Sequence, residues 1–164
     1  MKGFRFAITL IFILCFFFNP VNCFAVNDKD KEIARKNPNS CFAEGLAKNP
    51  RYKVTDEDRI FARNNLSTKF TKEIAINPNY VVDTPDKTIA MKNPDSAFAE
   101  GLAQNPTYLI RTEDKEFVRN NPNTKFAEYL VLNPAYIVEP KDREFARNNP
   151  DTKAAGGIAK NQSH

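Results

Sequence analysis

Histidine is almost missing from this chain: its one copy, His164, is the last residue. A terminal position suits neither a metal ligand nor a catalytic base. Without a second His, no zinc-type ligand cluster and no Ser–His or Cys–His pair can be assembled. Cysteine is nearly as scarce. Cys15 and Cys23 fall in an N-terminal segment read below as an export signal, which leaves Cys41 alone and excludes an internal disulfide framework. Tryptophan is absent, and the five glycines form no phosphate-binding loop. A strong charge of one sign is missing too. The formal net charge is +4, but Lys2 and Arg5 belong to the same N-terminal segment, and from Val26 onward 22 basic residues face 20 acidic ones. A near-neutral chain gives no compositional case for nucleic acid or an anionic membrane surface. These absences point away from an enzyme, a metal or a cofactor.

Residues 6–18 form the one long apolar run, thirteen residues set behind Lys2 and Arg5 and broken by Asn19-Pro20. A spanning helix needs roughly 20 apolar residues. Residues 1–25 are therefore expected to be a secretory signal, processed after Ala25 or Cys23. The product is expected to be secreted or periplasmic, with no stable membrane insertion once the signal is gone.

What the chain does have is a repeat. Asp30, Asp58, Asp86, Asp114 and Asp142 each open a unit, spaced by 28 residues without a gap. The aligned columns include Ile33, Phe61, Ile89, Phe117 and Phe145; Phe42, Phe70, Phe98, Phe126 and Ala154; Leu46, Ile74, Leu102, Leu130 and Ile158; and Tyr52, Tyr80, Tyr108 and Tyr136. An Asn-Pro pair recurs twice in most units. A fixed period of this length is the signature of a repeat array.

Each unit reads as two short helices and an extended link. Phe126, Ala127, Leu130 and Val131 lie on one face of a 3.6-residue period. Thr124 stands where an N-cap belongs, and Asn133-Pro134 stops the helix because proline disfavours αR at the preceding residue. Thr84-Pro85-Asp86 predicts an N-cap, a proline at N1 and an acid at the positive end of the dipole. Helices this short are marginal alone, so the Phe of one unit is expected to pack on its counterparts next door. Tyr and Val of each Tyr-x-Val link are expected to face the core. In the fifth unit Phe becomes Ala154 and Gly156-Gly157 follow, which marks that unit as degenerate, with a frayed tail after it. The expected fold is all-α: short helical-hairpin repeats stacked as a single superhelical solenoid over residues 26–164.

The run Asn93-Pro94-Asp95-Ser96, Leu102-Ala103-Gln104-Asn105-Pro106, then Val118-Arg119-Asn120-Asn121-Pro122 resembles the leucine-rich repeat variant. The resemblance implies a superhelix that alternates α and 3₁₀ helices. The unit here is a little longer, and the cysteine cluster of that family's iron–sulfur member is absent. No functional residue carries over.

The candidate binding residues are Arg35, Arg63, Arg119 and Arg147, one aligned column broken by Met91 and flanked by Lys36 and Lys92. In a stacked array they form a basic ladder suited to an acidic protein partner; the plainer reading is that they offset helix dipoles and pair with acidic columns. The repeated Asp and Glu columns read as helix-start charges on a solvated face. Cys41 aligns with Lys69, Ala97, Lys125 and Lys153, a variable surface position. Asn65-Leu66-Ser67 and Asn161-Gln162-Ser163 are glycosylation acceptor sequences. The expected function is protein–protein interaction by an exported, non-enzymatic repeat protein; the alternative is a self-associating structural or envelope component.

Overall fold

Short polar caps and Asn stops cut this chain into helices of seven to nine residues. The computed structural model describes residues 26–161, which form ten α-helices and no strand. They come in pairs: α1 (Asp28–Lys36) with α2 (Cys41–Ala47), α3 (Asp56–Asn64) with α4 (Lys69–Ile76), and α5 (Thr84–Lys92) with α6 (Ala97–Gln104). Two further pairs are α7 (Thr112–Asn120) with α8 (Lys125–Leu132), and α9 (Pro140–Asn148) with α10 (Lys153–Lys160). The chain is all-α over these residues. Both helices of each unit are α, where the resemblance implied alternation with 3₁₀. The export signal expected in residues 1–25, and His164 in the expected frayed tail, lie outside the described residues.

Local chemistry sets the boundaries. Every second helix opens on Ser40, Thr68, Ser96, Thr124 or Thr152, whose hydroxyl accepts a backbone N–H of the first turn. First helices add a reciprocal bond, and Asn27, Thr55 and Asp83 also cap with their side chains. The N-cap N–H of Asn27, Thr55, Asp83, Arg111 or Glu139 donates to the Asp three residues on. The cap before Pro85 is therefore Asp83, one residue earlier than the sequence suggested, with Thr84 already helical. Asn65 ends its helix by donating its side-chain amide to Phe61 O at 2.9 Å, and Asn37, Asn93, Asn121 and Asn149 do the same.

Within each unit the two helices pack together, and every second helix packs on the second helix of the next unit. Tyr52, Tyr80, Tyr108, Phe70, Phe98 and Phe126 are wholly buried. The Phe rings do not meet their counterparts, as the columns suggested. Each meets the Tyr of the preceding link, edge to face, with centroids 6.1, 6.3 and 6.1 Å apart. The Phe N–H completes the joint: Phe70, Phe98 and Phe126 donate to Pro38, Leu66 and Pro94 carbonyls, each at 2.9 Å. Ala154 N–H reaches Pro122 O in the same way, so the fifth unit keeps its joint without its Phe.

The second Asn column adds a buried thread. Asn105 Nδ2 donates to Ala75 O, Asn77 O and Tyr80 O at 2.6, 3.0 and 3.1 Å, while its Oδ1 accepts from Thr107 N–H. Asn77, Asn133 and Asn161 repeat it. These residues stop the helix and also satisfy carbonyls of the preceding unit, which buried backbone requires.

The glycines of α10 do not interrupt it, and their surroundings differ. A Cβ on Gly157 would lie 2.3 Å from Val131 Cγ2, whereas one on Gly156 would meet no described atom within 4 Å. Gly101 permits the closest approach to neighbouring backbone: its Cβ would sit 2.4 Å from Lys72 O and 2.8 Å from Ala75 Cβ. Gly101→Ala should lower the melting temperature, because backbone of the neighbouring helix has to move. Gly156→Ala should raise stability by about 1 kcal/mol through helix propensity alone. Thermal unfolding of the two variants by circular dichroism checks the contrast.

Candidate functional site

Three of the four arginines of the candidate ladder point into the joint between units. Arg35 reaches Asp58 at 2.7 Å, Arg63 reaches Asp86 at 2.8 Å and Asp83 at 2.7 Å, and Arg119 reaches Asp142 at 2.9 Å. Arg147 is exposed and makes no ion pair among the described residues. The column therefore serves the packing of the chain before anything else.

Asp58, Asp86, Asp114 and Asp142 are wholly buried. This corrects the expectation that the repeated Asp column lies on a solvated face. Each carboxylate accepts the N-cap N–H of its own helix and also pairs with the cation that follows the Asp of the preceding unit. Those cations are Lys31 to Asp58 at 3.4 Å, Arg59 to Asp86 at 3.4 Å, Lys87 to Asp114 at 2.8 Å and Lys115 to Asp142 at 3.8 Å. Met91 interrupts the arginine column at Asp114, which keeps Lys87 alone as its cation. Tyr80 and Tyr108 donate their hydroxyls to Asp86 and Asp114, both at 2.7 Å.

The same cations lie over tyrosine rings. Lys31, Arg59, Lys87 and Lys115 stand 4.8, 5.1, 4.4 and 5.3 Å from the centroids of Tyr52, Tyr80, Tyr108 and Tyr136. Lys31, Lys87 and Lys115 also donate to the link carbonyls of Lys53, Leu109 and Ile137 at 2.6, 2.6 and 2.8 Å. One cation thus ties its helix to its own link and to the next unit. Burial first, and the neighbouring Asp second, push all four tyrosine hydroxyls well above their usual range.

The middle residue of each of the three links after the first faces outward. Val81, Leu109 and Ile137 are 63, 68 and 67 % exposed, while the Tyr before each is wholly buried. They share a column with Lys53 and form an apolar row, one side chain per unit. Beside Ile137 a hollow is lined by Arg111, Lys115, Arg119 and Glu139. Sequence reasoning passed over this column because Tyr and Val carried the core. Its signal was an apolar residue at the outward position of an alternating segment.

The remaining candidates are placed as follows. Cys41 is exposed at the start of α2 and unpaired. Asn161 is buried and its amide is held by Val131 O and Tyr136 O, so the folded chain does not offer it for glycosylation. Among the described residues no group of His, Cys, Asp or Glu is arranged to hold a metal ion. No helix among them is long and apolar enough to cross a membrane. Comparison with family models, curated protein sequences and solved structures finds no match to this chain.

Two measurements probe the joints. Asp114→Asn should destabilise the chain by about 3 kcal/mol, since it leaves the Lys87 charge without its buried partner. Arg119→Gln should be clearly destabilising, while Arg147→Gln in the same column stays within about 0.5 kcal/mol; denaturant unfolding reads all three. Because the four buried tyrosines are held above their ordinary value, their contribution is whole below about pH 10 and is lost as pH climbs past it. In an alkaline titration tyrosinate absorbance should rise together with loss of helical signal. Independent ionisation of a still-folded chain would contradict this.

Proposed function

We propose that this is an exported, non-enzymatic repeat protein whose units stack as one superhelical solenoid and whose task is to hold a protein partner. The exposed row of Val81, Leu109 and Ile137 carries the reading. A solvated link has no structural use for three large apolar side chains, since their neighbours already fill the core. Spaced apolar side chains on an ordered surface suit an extended segment of another protein. Lys53 continues the column with a cation, and the hollow beside Ile137 brings further charge to the row's other end. An extended segment with apolar anchors and an acidic flank matches that ground.

The resemblance to leucine-rich repeat variants supports the stacked arrangement, and the absence of any nucleophile–base pair in the sequence supports a binding role over a hydrolytic one. Replacing the four arginines of the column would be a poor test of partner binding, because three of those side chains hold the joints. The row offers a cleaner one.

Peptides selected from a display library against the wild-type chain should lose at least about tenfold in affinity when Val81, Leu109 and Ile137 are all changed to Ser. Burial of one such side chain is worth roughly 1.5–3 kcal/mol, and about 1.4 kcal/mol is tenfold. Melting temperature should stay unchanged. Equal binding to the triple variant would sink the proposal.

A further inference from the structure

The joint between units is a template with a donor side and an acceptor side, and each side is left once without its complement. At the head, Asp30 has no cation among the described residues, although its equivalents Asp58, Asp86, Asp114 and Asp142 all have one. Phe42 is 44 % exposed, where Phe70, Phe98 and Phe126 are wholly buried. Among the described residues its backbone N–H has no carbonyl of the kind its equivalents find in the preceding unit. At the tail, Arg143 and Arg147 are exposed and find among the described residues no counterpart of the Asp that Lys115 and Arg119 reach one unit earlier. Among the described residues Pro150 O likewise has no counterpart of the N–H that Pro122 O accepts.

Gly45 adds an independent observation. Its column runs Gly45, Glu73, Gly101, Tyr129 and Gly157, and at Gly101 and Gly157 a Cβ would collide with the preceding unit. Gly45 meets no described atom within 4 Å, so within the chain it carries the propensity penalty of glycine with no close approach to show for it. The head is shaped for a unit that the described residues do not supply.

We infer that the tail of one copy docks on the head of another, with Arg143 and Arg147 of the first copy meeting Asp30 of the second, and Phe42 and Gly45 of the second seated on the last helix of the first. The occupant is a second copy because charge, backbone donor and acceptor, and glycine clearance all match the chain's own tail. The contact joins two different surfaces and does not close on itself, so it yields open, concentration-dependent chains of molecules. Without a Tyr from the preceding link to cover Phe42, the joint is weaker than those inside the chain. The inference rests on the stacked reading proposed above and names self-association as a second use of the same geometry.

Sedimentation equilibrium of residues 26–164, which contain every described contact, tests it. The weight-average mass should climb with concentration, and added salt should reduce the climb. Asp30→Arg alone, and Arg143→Glu with Arg147→Glu, should each remain monomeric. An equimolar mixture of the two variants should associate again, because the unaltered tail of one fits the unaltered head of the other. Gly45→Leu should keep its circular dichroism and weaken association at least about tenfold, which covers the case of a poorly folded Asp30 variant. A wild-type chain that stays monomeric to about 1 mM, or charge variants that associate as well as wild type, overturns the inference. Either result leaves the stacked reading standing, since that reading answers to Gly101→Ala and Asp114→Asn.

Discussion

A carboxylate shut away from water costs several kcal/mol unless its charge and lone pairs are met. Asp58, Asp86, Asp114 and Asp142 are in that position, and their partners come from different parts of the chain. For Asp86 these are the N-cap N–H of Asp83, the hydroxyl of Tyr80 in the preceding link, and Arg59 and Arg63 from the preceding first helix. Such a joint cannot be half made. If one unit slides past another, the contacts of Phe and Leu can partly re-form elsewhere, but the charge is left buried and alone. Apolar burial supplies the cohesion of these short helices, and the aspartates fix where each unit sits.

The cations are conditioned for that role. Placed over a tyrosine ring and bonded to a link carbonyl, Lys87 holds one position before it meets Asp114, so little side-chain freedom is left to lose on pairing. The ring beneath it is itself fixed, edge-on, by Phe126 and hydrogen-bonded to the same Asp. The chain Phe–Tyr–cation–Asp therefore runs from the core to the joint, and each member restricts the next. Neither the basic ladder nor the apolar core is separable from it.

What was legible in the sequence follows from the range of the forces involved. The unit, the two helices, the Ser/Thr caps and the Asn-Pro stops depend on residues within one turn of one another, and all were readable. So was the burial of Phe126, Leu130 and Tyr136, which needs only periodicity. The role of the Asp column was not. A helix-start Asp is already satisfied by local physics, and its partners stand 23 and 27 residues earlier, a separation that means nothing until the units are placed side by side. A clue was present: the residue after that Asp is Lys31, Arg59, Lys87, Lys115 or Arg143, basic in every unit, which is more regular than a helix dipole demands. The misplaced cap at Thr84 had a different cause, since Thr and Pro together mimic a cap that Asp83 supplies.

The division between fixed and variable columns also locates what is left for function. Asp, the cation after it, Tyr, Phe and the second Asn are consumed by the joints, so they are ill placed to discriminate between partners. The outward link residue has no such duty, and there the chain changes from Lys53 to Val81, Leu109 and Ile137. Lys87 and Lys115 hold the Leu109 and Ile137 carbonyls, so the backbone beneath those two side chains is held in place while the side chains themselves face water. A surface ordered in advance loses little freedom when a partner arrives, which lets three modest apolar contacts count nearly in full. The buried aspartates that hold the fold in register are thus also what keeps the row in register.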